Sequence, residues 1–362
     1  MTLPRRMRAA RLYGWGDVRV EEVPVPEIGG GEALVRIEAC GICGSDALAW
    51  YVERKAADGP VVLGHEPVGT VLAVGEGVDG IDVGDRVFVH HHAPCMECAE
   101  CGRGLWSNCA TWRATRLDPG GLAGYARVPA PNVAHDTLVL PDDVDDETAT
   151  FIEPLATCIR ALRRRGGLEP GDGVLIVGLG AMGLLMTALA REYEAGRVLG
   201  SDFIADRRDR ALRRGAHEAY DPGSDDVAVA VREATGGRGA DVVVVCPGTE
   251  AAVRAGLDAA APGGRVVCFT PLAPDVSLTI EPSELYFREV TLTQSYSCGP
   301  DETREALALL AGGWIEVRSL ITHRVGLEGV TAALERAHGG GEADGGAGRD
   351  GGVKTVVFPW GD

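Results

Sequence analysis

GVLIVGLGAMGLLMTALAREY, Gly173–Tyr193, runs an apolar, β-branched stretch straight into three glycines and then into an apolar helical pattern. Gly178, Gly180 and Gly183 have the spacing G-x-G-x-x-G, with Ala181 and Met182 filling the second gap. Each glycine has a separate physical reason to be there. The first permits a tight turn, the second lets a pyrophosphate approach the backbone, and the third lets helix and strand pack closely. The helix start behind them offers unpaired N–H groups and the positive end of a dipole to phosphates. Such a motif alone is weak, but here a strand precedes it, a helix follows it, and Asp202 closes the next apolar run, RVLGSD. Asp202 can accept from an adenosine ribose hydroxyl and would repel a 2′-phosphate, which favours NAD, with NADP as the alternative. Arg207 and Arg208 lie just beyond. Arg207 is a candidate cofactor contact, and the other reading of both is as solvated helix arginines.

Outward from this motif, strand-like and helix-like runs alternate: ADRRDRALRRG, DVVVVCPG, TEAAVRAGLDAA and RVVCFTP. That alternation predicts βαβ units and a doubly wound parallel sheet. Upstream the texture differs. ALVRIEACGIC, EPVGTVLAVG and DRVFVHHH read as short strands bounded by Gly and Pro, and TATFIEPLATCIRALRRRG has helical spacing. Downstream, DETREALALLAGG predicts a helix and GVKTVVFPW a last strand, with a low-complexity loop over GGGEADGGAGRDGG. The chain is therefore read as an α/β protein of two domains.

CMECAECGRGLWSNC carries Cys95, Cys98, Cys101 and Cys109 in the spacing C-x2-C-x2-C-x7-C. Four thiolates close a tetrahedron around zinc and leave no open position, so this ion is expected to be structural. A disulfide or an empty thiol cluster is the alternative. A second donor set is scattered: Cys43 in GICGSD, His65 and Glu66 in GHE, and Glu153 in FIEPLAT. A thiolate, an imidazole and a carboxylate suit a catalytic zinc. Spacing alone does not unite them.

GICGSD, GHE, the cysteine lobe, EPLAT and GLGAMG together resemble, in this order, the zinc-dependent medium-chain dehydrogenases/reductases of the alcohol dehydrogenase superfamily, in particular the sorbitol and threonine dehydrogenase-like branch. The resemblance spans nearly the whole chain. It implies a GroES-like β-barrel catalytic domain (residues 1–155, zinc lobe about 90–112), a Rossmann NAD-binding domain (156–297) and a return segment (298–362) that completes the first. The active site would lie in the cleft between the domains. Carried over by motif, Cys43, His65, Glu66 and Glu153 would hold the catalytic zinc, either carboxylate ligating directly or through water. Asp46 would orient the ligand histidine, and Ser45 would touch the substrate alcohol and start a proton relay. The relay histidine of many relatives is Leu48 here, so water or one of His90, His91 and His92 would take the proton. Thr157 would pack near the nicotinamide, and Lys354 would reach the cofactor pyrophosphate. Cys40 does not match a ligand position. Cys158, Cys246, Cys268 and Cys298 read as small apolar fillers, and Trp50, Tyr51 and Trp112 as candidate pocket walls.

The bulk properties agree with this and exclude other classes. The 362 residues carry 53 acidic and 35 basic side chains, a net charge of −18. That argues against nucleic acid or an anionic membrane as a partner. No apolar run reaches membrane-spanning length, and ten cysteines suit a reducing, cytoplasmic setting. The expectation is an enzyme with two zinc ions per chain that oxidises a secondary alcohol with NAD(P), on a polyol, sugar, cyclitol or amino alcohol. The resemblance also implies a homodimer or homotetramer, with RVVCFTP a candidate for pairing across the interface. The rivals are a zinc-independent reductase of the same superfamily and a non-enzymatic dinucleotide-binding protein.

Overall fold

The computed structural model describes residues 4–339 and 352–361; most of the GGGEADGGAGRDGG stretch, residues 340–351, lies outside the described residues. Two compact units result. One comprises residues 4–156 with the C-terminal portion from Cys298, and the other comprises Thr157–Ser297.

The second unit is built on six parallel strands in the order 218–220, 197–201, 173–177, 240–245, 260–268, 291–294. Numbered by place in the chain this is 3-2-1-4-5-6, the doubly wound dinucleotide-binding order. Val174 to Val177 and Val242 to Val245 are buried throughout, as expected of parallel strands covered on both faces. The run RVVC lies inside the sheet, between 240–245 and 291–294, so it is Thr291–Gln294 that forms the edge. The helix predicted in TATFIEPLATCIRALRRRG is α-helical over Ile152–Ile159 and widens to a π-helix over Arg160–Arg165.

In the first unit, Ala33–Gly41 is the central strand. It pairs antiparallel with Glu66–Val74 on one side and with Lys354–Val357 on the other. Gly41 is the common point, opposite Glu66 in one ladder and Val356 in the next. Further strands, Arg86–Val89, Thr137–Val139, Ile321–Val325 and Tyr125–Val128, extend this sheet. DRVFVHHH stops being a strand at Val89, so the three histidines leave the ladder. A small sheet of Arg6–Gly14, Asp17–Pro24 and Val61–Val62 was not anticipated from the sequence.

The return segment is tied to the first half by charge. Asp145 caps the helix Asp146–Ala149 by accepting from Thr148 N–H, and it also pairs with Arg318. Glu147 takes a two-pronged contact from Arg324, at 2.5 and 2.8 Å. The Arg324 hydrogen bonds hold the Glu147 carboxyl below its usual range. A depressed carboxylate stabilises the fold above the unfolded pKa and loses that contribution as the pH falls through the folded one. Glu147→Gln should therefore cost about 1 kcal/mol or less at pH 7, since Arg324 is half exposed. The gap from wild type should close towards pH 3. Urea midpoints at the two pH values check this, and a gap that does not change with pH would refute it.

Candidate zinc and nucleotide sites

The antiparallel ladder between 33–41 and 66–74 brings Cys43, His65 and Glu66 together. Their donor atoms lie within 4.8 Å of one another. Gly64 turns the chain ahead of His65 with φ +94°, and a Cβ there would lie 2.8 Å from Leu122 N and 2.9 Å from Cys40 Sγ. Asp46 is buried in the short turn Gly44–Ala47. Its Oδ1 lies 3.4 Å from His65 Nδ1, and its Oδ2 accepts the Cys43 N–H at 3.3 Å. The first is a charge approach, since Asp46 Oδ1 has no hydrogen-bond partner among the described residues, and it places a carboxylate behind the histidine as outer carboxylates stand at zinc histidines. Burial works against a charged ring at His65, but Asp46 and Cys43 outweigh it and raise its pKa well above the usual value.

Glu66 is wholly buried. Its Oε2 accepts from Lys354 Nζ at 2.5 Å, and its Oε1 has no hydrogen-bond partner among the described residues. Gly41 makes room for this pair: a Cβ there would lie 1.8 Å from Glu66 Oε2 and 3.0 Å from Lys354 Cε. Lys354, which the motif carry-over also pointed at the cofactor pyrophosphate, is thus a buried partner of Glu66. Burial disfavours its charge, yet Glu66 and Cys43 hold its pKa up. An orphaned, buried carboxylate oxygen next to a thiol and an imidazole is what a zinc ion would satisfy, so the residues fit the metal.

Glu153 groups with His90 and Cys298, whose donor atoms also lie within 4.8 Å of one another, and its charge also feels His65 and Glu66; burial pushes its pKa up. Residue spacing carries no signal for this group, and Cys298 reads from the sequence as an apolar filler. Of the other two histidines, His92 Nδ1 faces the Thr115 carbonyl at 2.5 Å, while the His91 ring lies 5.1 Å from that of His65. His91 Nδ1 has no hydrogen-bond partner among the described residues. Burial and its neighbouring histidines depress His91 well below the usual range, leaving a neutral imidazole. Ser45 lies in the Gly44–Ala47 turn and Leu48 closes it. Trp50 and Tyr51 lie on the helix Ala49–Ala56, and Thr157 one turn after Glu153 on Ile152–Ile159.

The four lobe cysteines converge as their spacing predicts. Sulfur–sulfur distances are 3.4 Å for Cys98–Cys101, 3.6 Å for Cys95–Cys109 and 3.9 Å for Cys95–Cys101. Thiolates at about 2.3 Å on a tetrahedral zinc lie about 3.8 Å apart. Although burial opposes it, hydrogen bonds from the Cys95 and Trp112 backbone bring Cys109 down to about 6, into its ligand form at neutral pH. Trp112 packs inside this lobe, with its ring 4.1 Å from His92. That is a structural position, not the pocket wall anticipated for it.

In the second unit, Gly178 has φ +86°, Gly180 precedes the helix Ala181–Glu192, and a Cβ at Gly183 would lie 2.0 Å from the Gly178 carbonyl oxygen. Met182 lies in the first turn of that helix. Asp202 accepts the Leu179 N–H through Oδ2 and the Ile204 N–H through Oδ1, each at 2.8 Å. Arg207 approaches Asp202 Oδ2 at 3.6 Å, and Arg208 binds the carbonyls of Asp202 and Phe203 together with Asp221. Arg208 is thus a local brace.

Comparison with known proteins agrees with this geometry. Residues 29–142 match the alcohol dehydrogenase GroES-like domain, and residues 181–312 the zinc-binding dehydrogenase domain. A sorbitol dehydrogenase of Bombyx mori is 33% identical over 92% of this chain and 95% of its own length. An L-threonine 3-dehydrogenase of Pyrococcus furiosus is 34% identical over 88% and 90%. A zinc-binding dehydrogenase structure from Sinorhizobium meliloti 1021, bound to NADP, superposes with a TM-score of 0.83 at 32% identity, covering 98% of this chain and 99% of that one. The chain belongs to the zinc-dependent medium-chain dehydrogenases, with a GroES-like domain and a Rossmann domain. It is an NAD(P)-dependent oxidoreductase.

Two outcomes separate the roles assigned above. Cys101→Ser should remove one zinc per chain and cost about 3 kcal/mol or more of stability, read by metal analysis and thermal unfolding; unchanged zinc content would refute the lobe. Lys354→Met strands the buried Glu66 charge, which should cost about 3–5 kcal/mol in chelator-treated protein and markedly less once zinc is restored. Equal losses in both forms, by urea denaturation, would show that Glu66 does not face both cations.

Proposed function

We propose that the protein oxidises a secondary alcohol of a polyol, sugar, cyclitol or amino alcohol to the ketone, with NAD as the preferred hydride acceptor. The convergence of Cys43, His65 and Glu66, with Asp46 behind the histidine, carries the reading. Bound zinc supplies Lewis acidity towards the alcohol oxygen, and bound NAD takes the hydride. The chain's own residues would do the rest. Cys43, His65 and a carboxylate, Glu66 or Glu153, hold the metal, and Asp46 fixes the His65 tautomer. Ser45 accepts the hydroxyl proton and passes it towards water, since Leu48 interrupts the usual relay. His91 supports a second route, because its Nδ1 is uncommitted and its ring lies beside His65. In the nucleotide unit, the glycines from Gly178 to Gly183 receive the pyrophosphate at the helix start, and Thr157 packs near the nicotinamide. Asp202 accepts from the ribose, its orientation set by two backbone amides.

The polyol or amino alcohol class is supported by the names of the relatives, sorbitol dehydrogenase and L-threonine 3-dehydrogenase. Ten free cysteines support a reducing, cytoplasmic setting, and no described helix is long and apolar enough to cross a membrane. The exposed edge strand Thr291–Gln294 supports assembly as a homodimer or homotetramer. The test is a screen of secondary alcohols, polyols, cyclitols and amino alcohols with NAD and with NADP, followed by absorbance of the reduced cofactor. Turnover with NAD is expected, reduced about 10²-fold or more in Cys43→Ala. Full activity of that variant would refute the assignment.

A further inference from the structure

The helix Val330–Gly339 buries Val330, Ala333 and Leu334 and packs Ala337 against the same core, the stripe of a core-facing helix. His338 continues the row of Val330 and Leu334, where the pattern calls for another apolar side chain. Its imidazole lies 4.8 Å from the ring of Trp15, at the turn between Arg6–Gly14 and Asp17–Pro24. Its Nδ1 lies 2.8 Å from the carbonyl oxygen of Ala47, 291 residues away in the chain. A carbonyl oxygen only accepts, so Nδ1 carries the proton of this bond. Ala47 is the last residue of the turn Gly44–Ala47.

That carbonyl needs a donor from outside its own segment. Leu48, with ψ 99°, breaks the backbone between the turn and the helix Ala49–Ala56. Tyr51 N–H, which an unbroken helix would give to Ala47, goes to the Leu48 carbonyl instead. Ala47 is buried, and a buried carbonyl left without a donor is costly. The turn it ends carries Ser45 and Asp46, and Cys43 caps it. At the entry, Ile42 N–H donates to the Thr355 carbonyl at 3.0 Å, and Asp46 N–H closes the turn on the Cys43 carbonyl at 3.1 Å. At the exit, His338 holds Ala47. Two elements of the C-terminal segment thus grip the turn on either side of Ser45.

We propose that His338 is a positioning residue for the alcohol oxidation: by holding the Ala47 carbonyl it fixes the turn that presents the Ser45 hydroxyl and the Cys43 thiolate. The proposal rests on the function proposed above for the identity of the reacting alcohol, and on the hydrogen bond to Ala47 for the rest. His338 acts through the backbone of the turn and touches no reacting atom. Its leverage comes from the steepness of catalysis with distance, since a displacement of about 1 Å costs on the order of 10²-fold. Trp15 keeps the imidazole in place, so the hairpin at the start of the chain also bears on the turn. The glycine turn of the nucleotide unit takes no part in this contact, so NAD binding is independent of it.

The test compares two variants of the full chain, reconstituted with zinc. His338→Leu removes the donor, and His338→Asn keeps an amide nitrogen close to the place of Nδ1. With the fastest alcohol of the screen, His338→Leu should lower kcat about 10-fold or more at unchanged KM for NAD. His338→Asn should recover most of that loss. Deuterium exchange reads the turn without turnover: the peptide carrying the Asp46 and Leu48 amides should exchange about 10-fold faster in His338→Leu, and near the wild-type rate in His338→Asn. Wild-type exchange and kcat in His338→Leu, or equal losses in both variants, overturn the proposal. A wild-type protein that oxidises no alcohol refutes the alcohol reading alone, and the exchange rates still decide whether His338 holds the turn. Should His338→Leu not fold, Trp15→Leu, which removes the brace and leaves the donor, decides: faster exchange with lower kcat supports the proposal, and unchanged exchange overturns it.

Discussion

Gly41 has no side chain because the carboxylate of Glu66 occupies the space where one would stand. That single exclusion organises the first unit. The central strand must pass bare-backed between Glu66–Val74 and Lys354–Val357, so Glu66 and Lys354 meet across it at 2.5 Å. The strand then delivers Cys43 two residues further on, while the turn at Gly64 delivers His65. Three segments from distant parts of the sequence are thus held in register by one buried ion pair. The C-terminal strand is part of the metal site for the same reason: without it, the carboxylate would have no ammonium.

Buried charge also bears on the metal sites of this unit. A hydrophobic interior tolerates a carboxylate when the charge is matched and its oxygens are hydrogen-bonded. Here the carboxylates outnumber the buried ammonium groups. Some are met by hydrogen bonds, as Asp136 is by Thr303 and His90, and Glu302 by Gly299 N–H. Hydrogen bonds orient a charge but do not cancel it. Divalent ions do both, at the cost that folding of the region becomes linked to metal binding. The cysteine lobe follows the same logic with softer ligands, around its own small core of Trp106 and Trp112.

What could be read from the sequence divides along a physical line. The nucleotide turn and the zinc lobe were legible because each is encoded in consecutive residues. Gly178 and Gly183 report a positive φ and a missing Cβ, both local facts, and the cysteine spacing reports one closed coordination shell. The Cys43, His65 and Glu66 set was legible only through resemblance, since its members meet through strand register. The His90 cluster was not legible. Asp136, Glu153 and the Cys298–Thr303 stretch come from three separate segments, and no periodicity marks a threonine that turns inward to meet an aspartate or a cysteine that turns inward to meet a histidine. The histidine triplet shows the limit most clearly. Three identical residues in a row acquire different surroundings, Asp136 for His90, the ring of His65 for His91 and the Thr115 carbonyl for His92. The cause is that the strand ends at Val89, which no residue preference foretold.

The same reasoning bears on cofactor choice. Asp202 is not a mobile surface carboxylate: each of its oxygens is held by a backbone amide, one from the glycine turn and one from the start of the next helix. Its negative charge is therefore fixed at the end of the strand Arg197–Ser201, where an adenosine ribose lies in folds of this order. Arg207 stands 3.6 Å from Asp202 Oδ2, and Arg208 is taken up by the carbonyls of Asp202 and Phe203 and by Asp221. A 2′-phosphate would have to displace Arg207 from Asp202 while remaining beside the carboxylate. Two ribose hydroxyls need only accept and donate within the existing arrangement. On the function proposed above, discrimination between NAD and NADP would come down to the competition of one arginine between two anions, with the backbone amides that pin Asp202 favouring the carboxylate.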